Sequence, residues 1–143
     1  MKHLGVDYGK ARIGLAISDE SGMIATPLLV IERTAPETDL ARIAELVAEQ
    51  KVERIVVGMP LALSGHAALA AETVRKFVEA LSARVEVPLE VWDERLTTAQ
   101  AERAMIAGEV SRKRRKKRID AVAAQIMLQS YLDAGGAGRA VNS

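Results

Sequence analysis

Acidic residues at three places far apart in the chain are of the type that binds divalent cations. Asp7 lies in the first apolar stretch, Asp93 and Glu94 follow a later one, and Asp120 comes directly after a basic run. The sequence has no cysteine and two histidines, so a metal site would be built from carboxylate oxygens. Such ligands suit a hard cation such as Mg²⁺ or Mn²⁺. If the fold brings these residues together, they can hold a metal for phosphate chemistry.

The surroundings of Asp7 favour this interpretation. Residues 4–19 form two runs of alternating apolar residues joined by a Gly-Lys turn, which is typical of a β-hairpin. Alternate strand residues point to opposite faces, so Asp7 shares its face with Gly5 and Gly9. The second run offers only small residues to one of its faces, namely Gly14, Ala16 and Ser18. We therefore predict an open sheet face on which Asp7 meets a cation or a phosphate. The alternative is an ordinary strand-end aspartate beside turn glycines.

Asp120 and Glu94 also have simpler interpretations. Asp120 lies in the first turn of a predicted helix, and Ala123 and Ala124 are its neighbours one turn later, so it borders the inward face. An aspartate there can instead stabilise the helix dipole. Glu94 can instead form an ion pair with the adjacent Arg95.

A run of seven basic residues, Arg112–Arg118, precedes Asp120 almost directly. The rest of the chain then has 13 Lys and Arg residues against 19 acidic ones, so a basic segment stands on an acidic body. This asymmetry indicates a polyanionic partner, and phosphates drawn to the run would arrive beside the acidic residues. The alternative is a solvated or flexible segment.

The elements that position these residues predict an α/β domain, because hairpin strands are followed by alternating strands and helices. A third strand is predicted over Ile24–Arg33, and a capping box at Thr34–Glu37 predicts a helix that ends near Gln50. Two further strands are predicted at Arg54–Gly58 and Pro88–Trp92. Three further helices are predicted at about 70–81, 97–108 and about 119–132. Functional loops of parallel strands gather at their carboxyl ends, where Gly58 and Asp93 lie.

The length of 143 residues predicts one domain over residues 1–134, with a flexible tail at 135–143. Aromatic residues make up 3% of the sequence, so the core must be aliphatic. The lack of cysteine suits a cytoplasmic protein. No apolar run reaches the length of a membrane span, and no signal-peptide pattern is present, so no membrane partner is expected.

The motifs together resemble one family. They are GVDYG at 5–9, RIG at 12–14, VGMPL at 57–61, DERLTT at 93–98 and IDAVAA at 119–124. In this order they resemble the YqgF/RuvX family of pre-16S ribosomal RNA nucleases, also described as Holliday-junction-resolvase-like. The resemblance implies an RNase H-like fold: a five-stranded mixed sheet, three antiparallel then two parallel strands, flanked by helices. The sequence departs from the family pattern at Ala62 and Ser64, where members of the family often have an Asn and an acidic residue.

The resemblance also implies metal-dependent phosphodiester hydrolysis in maturation of the 5′ end of 16S rRNA. The implied catalytic and metal-binding set is Asp7, Glu94 and Asp120, with Asp93 as a further candidate ligand. As a hypothesis, two Mg²⁺ or Mn²⁺ ions would be bridged by Asp7. The predicted nucleic-acid contacts are Lys10, Arg12, Arg95, Arg112, Lys113, Arg114, Arg115, Lys116, Lys117 and Arg118.

Two other classes of protein share some of these features. The Asp-x-Gly of Asp7–Gly9 also resembles the phosphate loop of actin-like ATPases and sugar kinases, but those proteins need a second, similar half that is absent here. A nucleic-acid-binding factor without catalysis is a further reading. The substrate would be structured or single-stranded RNA of a ribosomal precursor, or branched DNA. A junction resolvase needs two sites and hence a homodimer, whereas an RNA nuclease can act as a monomer.

Overall fold

The computed structural model describes residues 1–59, 65–93, 112–135 and 139–140. The strands are β1 His3–Tyr8, β2 Arg12–Ser18, β3 Ala25–Glu32, β4 Arg54–Met59, β5 Leu89–Asp93 and β6 Arg139–Ala140. The helices are α1 Pro36–Glu49, α2 Gly65–Ser82 and α3 Arg112–Asp133. None of the helices in these ranges has both the length and the apolar character that a membrane span requires.

The strands form one mixed sheet in the order β3-β2-β1-β4-β5-β6. The first three strands pair antiparallel, and β4 and β5 continue the sheet in parallel with β1. The predicted arrangement of three antiparallel and two parallel strands is therefore confirmed. A sixth, two-residue strand pairs antiparallel with β5 through Arg139 and Ala140, inside the segment predicted to be a flexible tail.

Two apolar layers enclose the sheet. On one face, fully buried residues of the hairpin, including Leu4, Val6, Ile13 and Leu15, join α1 and α2 in the larger core. On the other face, Val56 packs with Ala124, Leu128 and other residues of α3. Because β4 buries Val56 on one side and Val57 on the other, its continuous apolar run has the character of a central parallel strand.

The start of α1 differs from the predicted capping box. The N-cap position is Ala35, which makes no side-chain hydrogen bond, and Pro36 begins the helix. Thr34 lies one residue too early to cap. Its amide and hydroxyl instead donate to Oδ1 of the buried Asp39, at 3.3 and 3.2 Å. Proline is well tolerated at the first helical position, because the backbone N–H that it lacks would have no hydrogen-bond partner in the first turn.

The last helix begins much earlier than predicted. We expected it from about Ile119, because the apolar stripe becomes visible only there, but α3 starts at Arg112. Arg and Lys are good helix formers, so the whole basic run continues the helix. The basic run is therefore part of a regular helix. The helix predicted over 97–108 lies outside the described residues.

The direction of α3 follows from contacts along its carboxyl-terminal half. The Gln125 and Gln129 amides bond the backbone of Ala25, where β3 begins. Further along, the buried Tyr131 hydroxyl donates to Glu90, near the start of β5, and Glu90 pairs with Arg54 at the start of β4 at 2.5 Å. The last turns of α3 thus lie at the starts of the parallel strands. The helix runs antiparallel to these strands, and its amino-terminal half points toward their carboxyl ends.

The face beside Gly5 is not open, which corrects one prediction. A Cβ on Gly5 would lie 2.8 Å from Leu128 Cβ and 3.2 Å from the Ala124 carbonyl oxygen, so the bare face is the seat of α3. Ala16 and Ser18 on the same face are buried as well. Small residues there admit the close approach of a helix, and only the end of the face near Asp7 remains partly exposed.

Candidate active site

Asp7 occupies the end of the central strand on the α3 face of the sheet. It is the penultimate residue of β1 and is partly buried. Its neighbours Val6 and Tyr8 belong to the opposite core, which places Asp7 on the α3 side by alternation. Gly14 of β2, which has no side chain, lies directly opposite Asp7. The predicted β-hairpin, with Asp7 on the same face as Gly5, is confirmed.

The strand register distinguishes Asp93 from its neighbour Trp92. Asp93 is paired with Met59, whose side chain is buried in the core against α1 and α2. In a parallel pair, registered residues share a face, so the position of Asp93 belongs to the face opposite Asp7. Trp92 is registered with Gly58 and packs with the α3 layer, on the Asp7 side. Glu94 and Arg95 lie outside the described residues.

The backbone position of Asp120 falls one helical turn before Ala124. Because the Ala124 carbonyl lies over Gly5, and α3 runs antiparallel to β1, that turn leads toward Asp7. One helical turn advances about 5.4 Å and two strand residues advance about 6.6 Å, so the α3 backbone at Asp120 and the β1 backbone at Asp7 both lie beyond Gly5 in the same direction along the sheet. The close contact of α3 with Gly5 therefore places the backbone positions of Asp7 and Asp120 toward the same end of the sheet.

Basic residues of the hairpin turn lie at this end too. Lys10 is exposed at the tip, and Arg12 forms an exposed ion pair with Glu32 at 3.0 Å. The basic run Arg112–Arg118 occupies the first two turns of α3, beyond Asp120. The described structure therefore places the hairpin tip and the basic end of α3 toward the same end of the sheet as Asp7.

One residue near the site was not predicted from the sequence. Arg33 follows β3 directly, and its Nη1 donates to the carbonyl oxygens of Gly9 and Lys10, each at 2.9 Å. Its guanidinium carbon lies 4.4 Å from the centre of the Tyr8 ring. The only available signal was its position after a strand that pairs with the hairpin, and that pairing is a tertiary contact.

The donor chemistry at this end suits a hard cation, since the candidates are carboxylates and the sequence has no cysteine. His3 is remote, at the other end of β1, where its Nδ1 lies 2.9 Å from the Met1 carbonyl oxygen. Among the described residues no three His, Asp or Glu side chains come together as a metal-binding group. Asp7 is the described carboxylate on the α3 face of this end.

Comparison with known proteins agrees with this architecture. A sequence profile described as "RuvX: Holliday junction resolvase" matches residues 1–134. A protein of Desulforudis audaxviator is 45% identical over 139 residues, which cover 97% of this chain and 99% of that protein. A protein of Halothermothrix orenii is 49% identical over 133 residues, which cover 93% of this chain and 95% of that protein. Both are named "Putative pre-16S rRNA nuclease".

Solved structures with low sequence identity share the fold. T. thermophilus RuvC in complex with a Holliday junction substrate matches with a TM-score of 0.65 at 18% identity and covers 99% of each chain. The Fowlpox virus resolvase in its complex with Holliday junction DNA matches with a TM-score of 0.59 at 12% identity, over 94% of this chain and 98% of that one. These matches support the RNase H-like fold. The profile match over residues 1–134, with relatives at 45% and 49% identity along nearly the whole length, shows that this chain belongs to the RuvX family.

Proposed function

We propose that this chain is a metal-dependent nuclease that hydrolyses phosphodiester bonds of RNA in maturation of the 5′ end of pre-16S rRNA. The observation that supports the proposal is the position of Asp7: it lies on the α3 face of the sheet, directly opposite Gly14 of β2. The names of the similar proteins from D. audaxviator and H. orenii support the choice of RNA. The lack of cysteine is compatible with the reducing cytoplasm, where we place the protein.

The residues that would hold the cation are Asp7, Glu94 and Asp120, and the preferred ion is Mg²⁺ or Mn²⁺. A divalent cation bound there would supply positive charge against the scissile phosphate and the leaving oxygen. The register argues against Asp93, because Asp93 shares the face of the buried Met59, opposite the face of Asp7. Glu94 is retained from the family motif DERLTT at 93–98. A further role for Asp93 is therefore not needed in this proposal.

The protein's own part is to bind and orient the polynucleotide. Carboxylates alone would repel phosphates, and the seven basic positions that begin α3 reverse the sign of the local charge. Because this segment is helical, its basic residues belong to α3, whose position on the sheet is fixed by its close contact with Gly5. Contacts to phosphates are independent of base identity, so these residues would set the position of the strand and not its sequence.

A second candidate substrate is a branched DNA, since the family description names a Holliday junction resolvase. A resolvase cuts two strands and needs two sites, so this reading requires a homodimer, whereas the RNA reading works with a monomer. The same acidic residues would act in either case. The two proposals therefore differ in substrate and oligomeric state and not in the site.

The test is a side-by-side cleavage assay of the purified chain on pre-16S RNA and on a four-way DNA junction, with Mg²⁺, Mn²⁺ or EDTA. We expect metal-dependent cleavage of the RNA, abolished in Asp7→Asn with folding and RNA binding retained. Asp133→Asn, at an exposed position near the end of α3, is the matched control and should cleave normally. Full activity of Asp7→Asn would overturn the site. Cleavage of the junction alone would favour the DNA reading, and metal-free binding without cleavage would favour a non-catalytic factor.

A further inference from the structure

The hairpin end beside Asp7 is held by the side chain of a residue that directly follows β3. Arg33 donates from Nη1 to the Gly9 and Lys10 carbonyl oxygens, and its own amide donates to the Ala11 carbonyl oxygen at 2.9 Å. One residue therefore contacts all three residues that link Tyr8 to β2. A hairpin tip usually relies on its own turn for order. Here one guanidinium nitrogen of Arg33, the residue after β3, donates to two carbonyl oxygens of that turn.

The same guanidinium also restrains the residue next to Asp7. It lies 4.4 Å from the centre of the Tyr8 ring, and Phe77 of α2 stacks on that ring with centroids 4.1 Å apart and planes 18° apart. Tyr8 is thus held by a cation and by an aromatic ring on the α2 side. Because adjacent strand residues point to opposite faces, holding Tyr8 on one side directs Asp7 to the other.

The turn has little freedom to compensate for the loss of this clamp. The Gly9 amide donates to the Arg12 carbonyl oxygen at 2.9 Å, and a Cβ on Gly9 would lie only 2.7 Å from that oxygen. Arg33 makes no ion pair with a carboxylate within the described ranges, so its charge is directed to the two carbonyl oxygens and to the ring. With a neutral side chain at this position, both carbonyl oxygens would have to accept hydrogen bonds from water, and the Tyr8 ring would lose its contact with the cation.

We propose that Arg33 is a positioning residue for the Asp7 carboxylate, acting through Tyr8 and the hairpin turn. This inference rests on the proposed nuclease function, in which Asp7 holds a divalent cation. Arg33 itself touches neither cation nor scissile phosphate in this role. Its loss would therefore weaken metal binding and the chemical step while leaving RNA affinity nearly unchanged.

The test compares Arg33→Met with Arg33→Lys and with Arg75→Met, which removes an exposed arginine of α2 that pairs with Glu72. Methionine retains length without donors, and lysine retains the charge without the planar fork. We expect Arg33→Met to lower kcat about 10- to 100-fold, since a misplacement of about 1 Å can cost about 100-fold. We also expect it to require a several-fold higher Mg²⁺ concentration for half-maximal rate, with KM for RNA within about twofold. Arg33→Lys should recover part of the loss and Arg75→Met should resemble the original chain.

A second readout separates this inference from the proposed function. Mg²⁺ is titrated into ¹⁵N-labelled protein without RNA, and amide shifts of Asp7 and Gly9 report binding. Weaker binding in Arg33→Met supports the positioning role even if no RNA is cleaved, in which case only the nuclease proposal fails. Equal Mg²⁺ affinity and equal kcat in Arg33→Met and the original chain would overturn it. A change confined to KM for RNA would also overturn it, since Arg33 would then be a phosphate contact. Absence of Mg²⁺-induced shifts at Asp7 in the original chain would overturn both proposals.

Discussion

Gly5 and Leu128 approach so closely that a Cβ on the glycine would lie 2.8 Å from the Cβ of the leucine. This contact presses α3 onto the central strand two residues before Asp7. It therefore sets the height of the helix above the sheet at the point from which α3 extends toward the proposed metal site. The sequence predicted that Gly5 leaves an open face for a cation or a phosphate, but Gly5 instead leaves room for α3.

Gly5→Ala should destabilise the protein by about 1–3 kcal/mol, because the added methyl group overpacks a fully enclosed contact. The neighbours that must move are a Cβ and a backbone oxygen, which have no alternative rotamer. Urea denaturation followed by circular dichroism measures this change. Leu69→Ala, at an exposed position of α2, is the control and should shift the unfolding free energy by less than about 0.5 kcal/mol. Unchanged stability of Gly5→Ala would contradict the close packing of α3 on Gly5.

Tyr131→Phe should cost about 1–3 kcal/mol, because the buried Glu90 loses a donor to its charged carboxylate. Burial, followed by Glu90, raises the pKa of Tyr131, so its hydroxyl stays protonated and donates at neutral pH. Tyr8→Phe changes the other tyrosine of the chain and is the matched control, since no hydrogen bond of the Tyr8 hydroxyl is seen within the described residues. Equal unfolding midpoints for the two variants would argue against the Tyr131–Glu90 bond.

The stability of the protein should fall as the pH drops below about 6.5, in part through His3. Burial lowers the pKa of His3 from its ordinary value of 6.5, and the Arg54 and N-terminal charges act in the same direction, whereas Glu90 and the Met1 carbonyl oppose them. The unfolded chain then binds a proton more readily than the folded chain, so acid favours unfolding from pH 6.5 downward. His3→Asn should reduce this loss between about pH 7.5 and about pH 5.5. His66→Asn changes the other histidine of the chain and is the comparison; an equal change of slope in the two variants would argue against His3.

Neutralising the basic segment should weaken RNA binding and make it less sensitive to salt. A variant in which Lys113, Arg114, Lys116 and Lys117 become Gln retains good helix formers. If all four contact single-stranded RNA phosphates, the slope of log K against log salt should flatten by up to about 3, at about 0.7 for each contact. Fluorescence anisotropy at several salt concentrations gives the slope. Lys51→Gln with Lys76→Gln serves as the control; an equal slope in the two variants would exclude the segment as the phosphate contact.

The amino-acid pattern alone determined the local features of this protein. Alternation placed Leu4, Val6 and Asp7 on their correct faces, and the continuous run through Val56 and Val57 identified a central strand. These features follow from a period of two and from burial, both of which are written in neighbouring residues. The resemblance carried by the ordered motifs added the topology of the mixed sheet and the family.

The tertiary structure decided how separate segments meet. The sequence could not show that α3 covers Gly5, since an absent side chain predicts an open face and a close-packed one equally well. Nor could it show that Arg33 binds the turn after Asp7, because that contact joins residues brought together by strand pairing. The opposite faces of Asp7 and Asp93 likewise depend on register between strands that are far apart in the chain. Local periodicity governs which way a residue points, whereas long-range packing governs what it meets there.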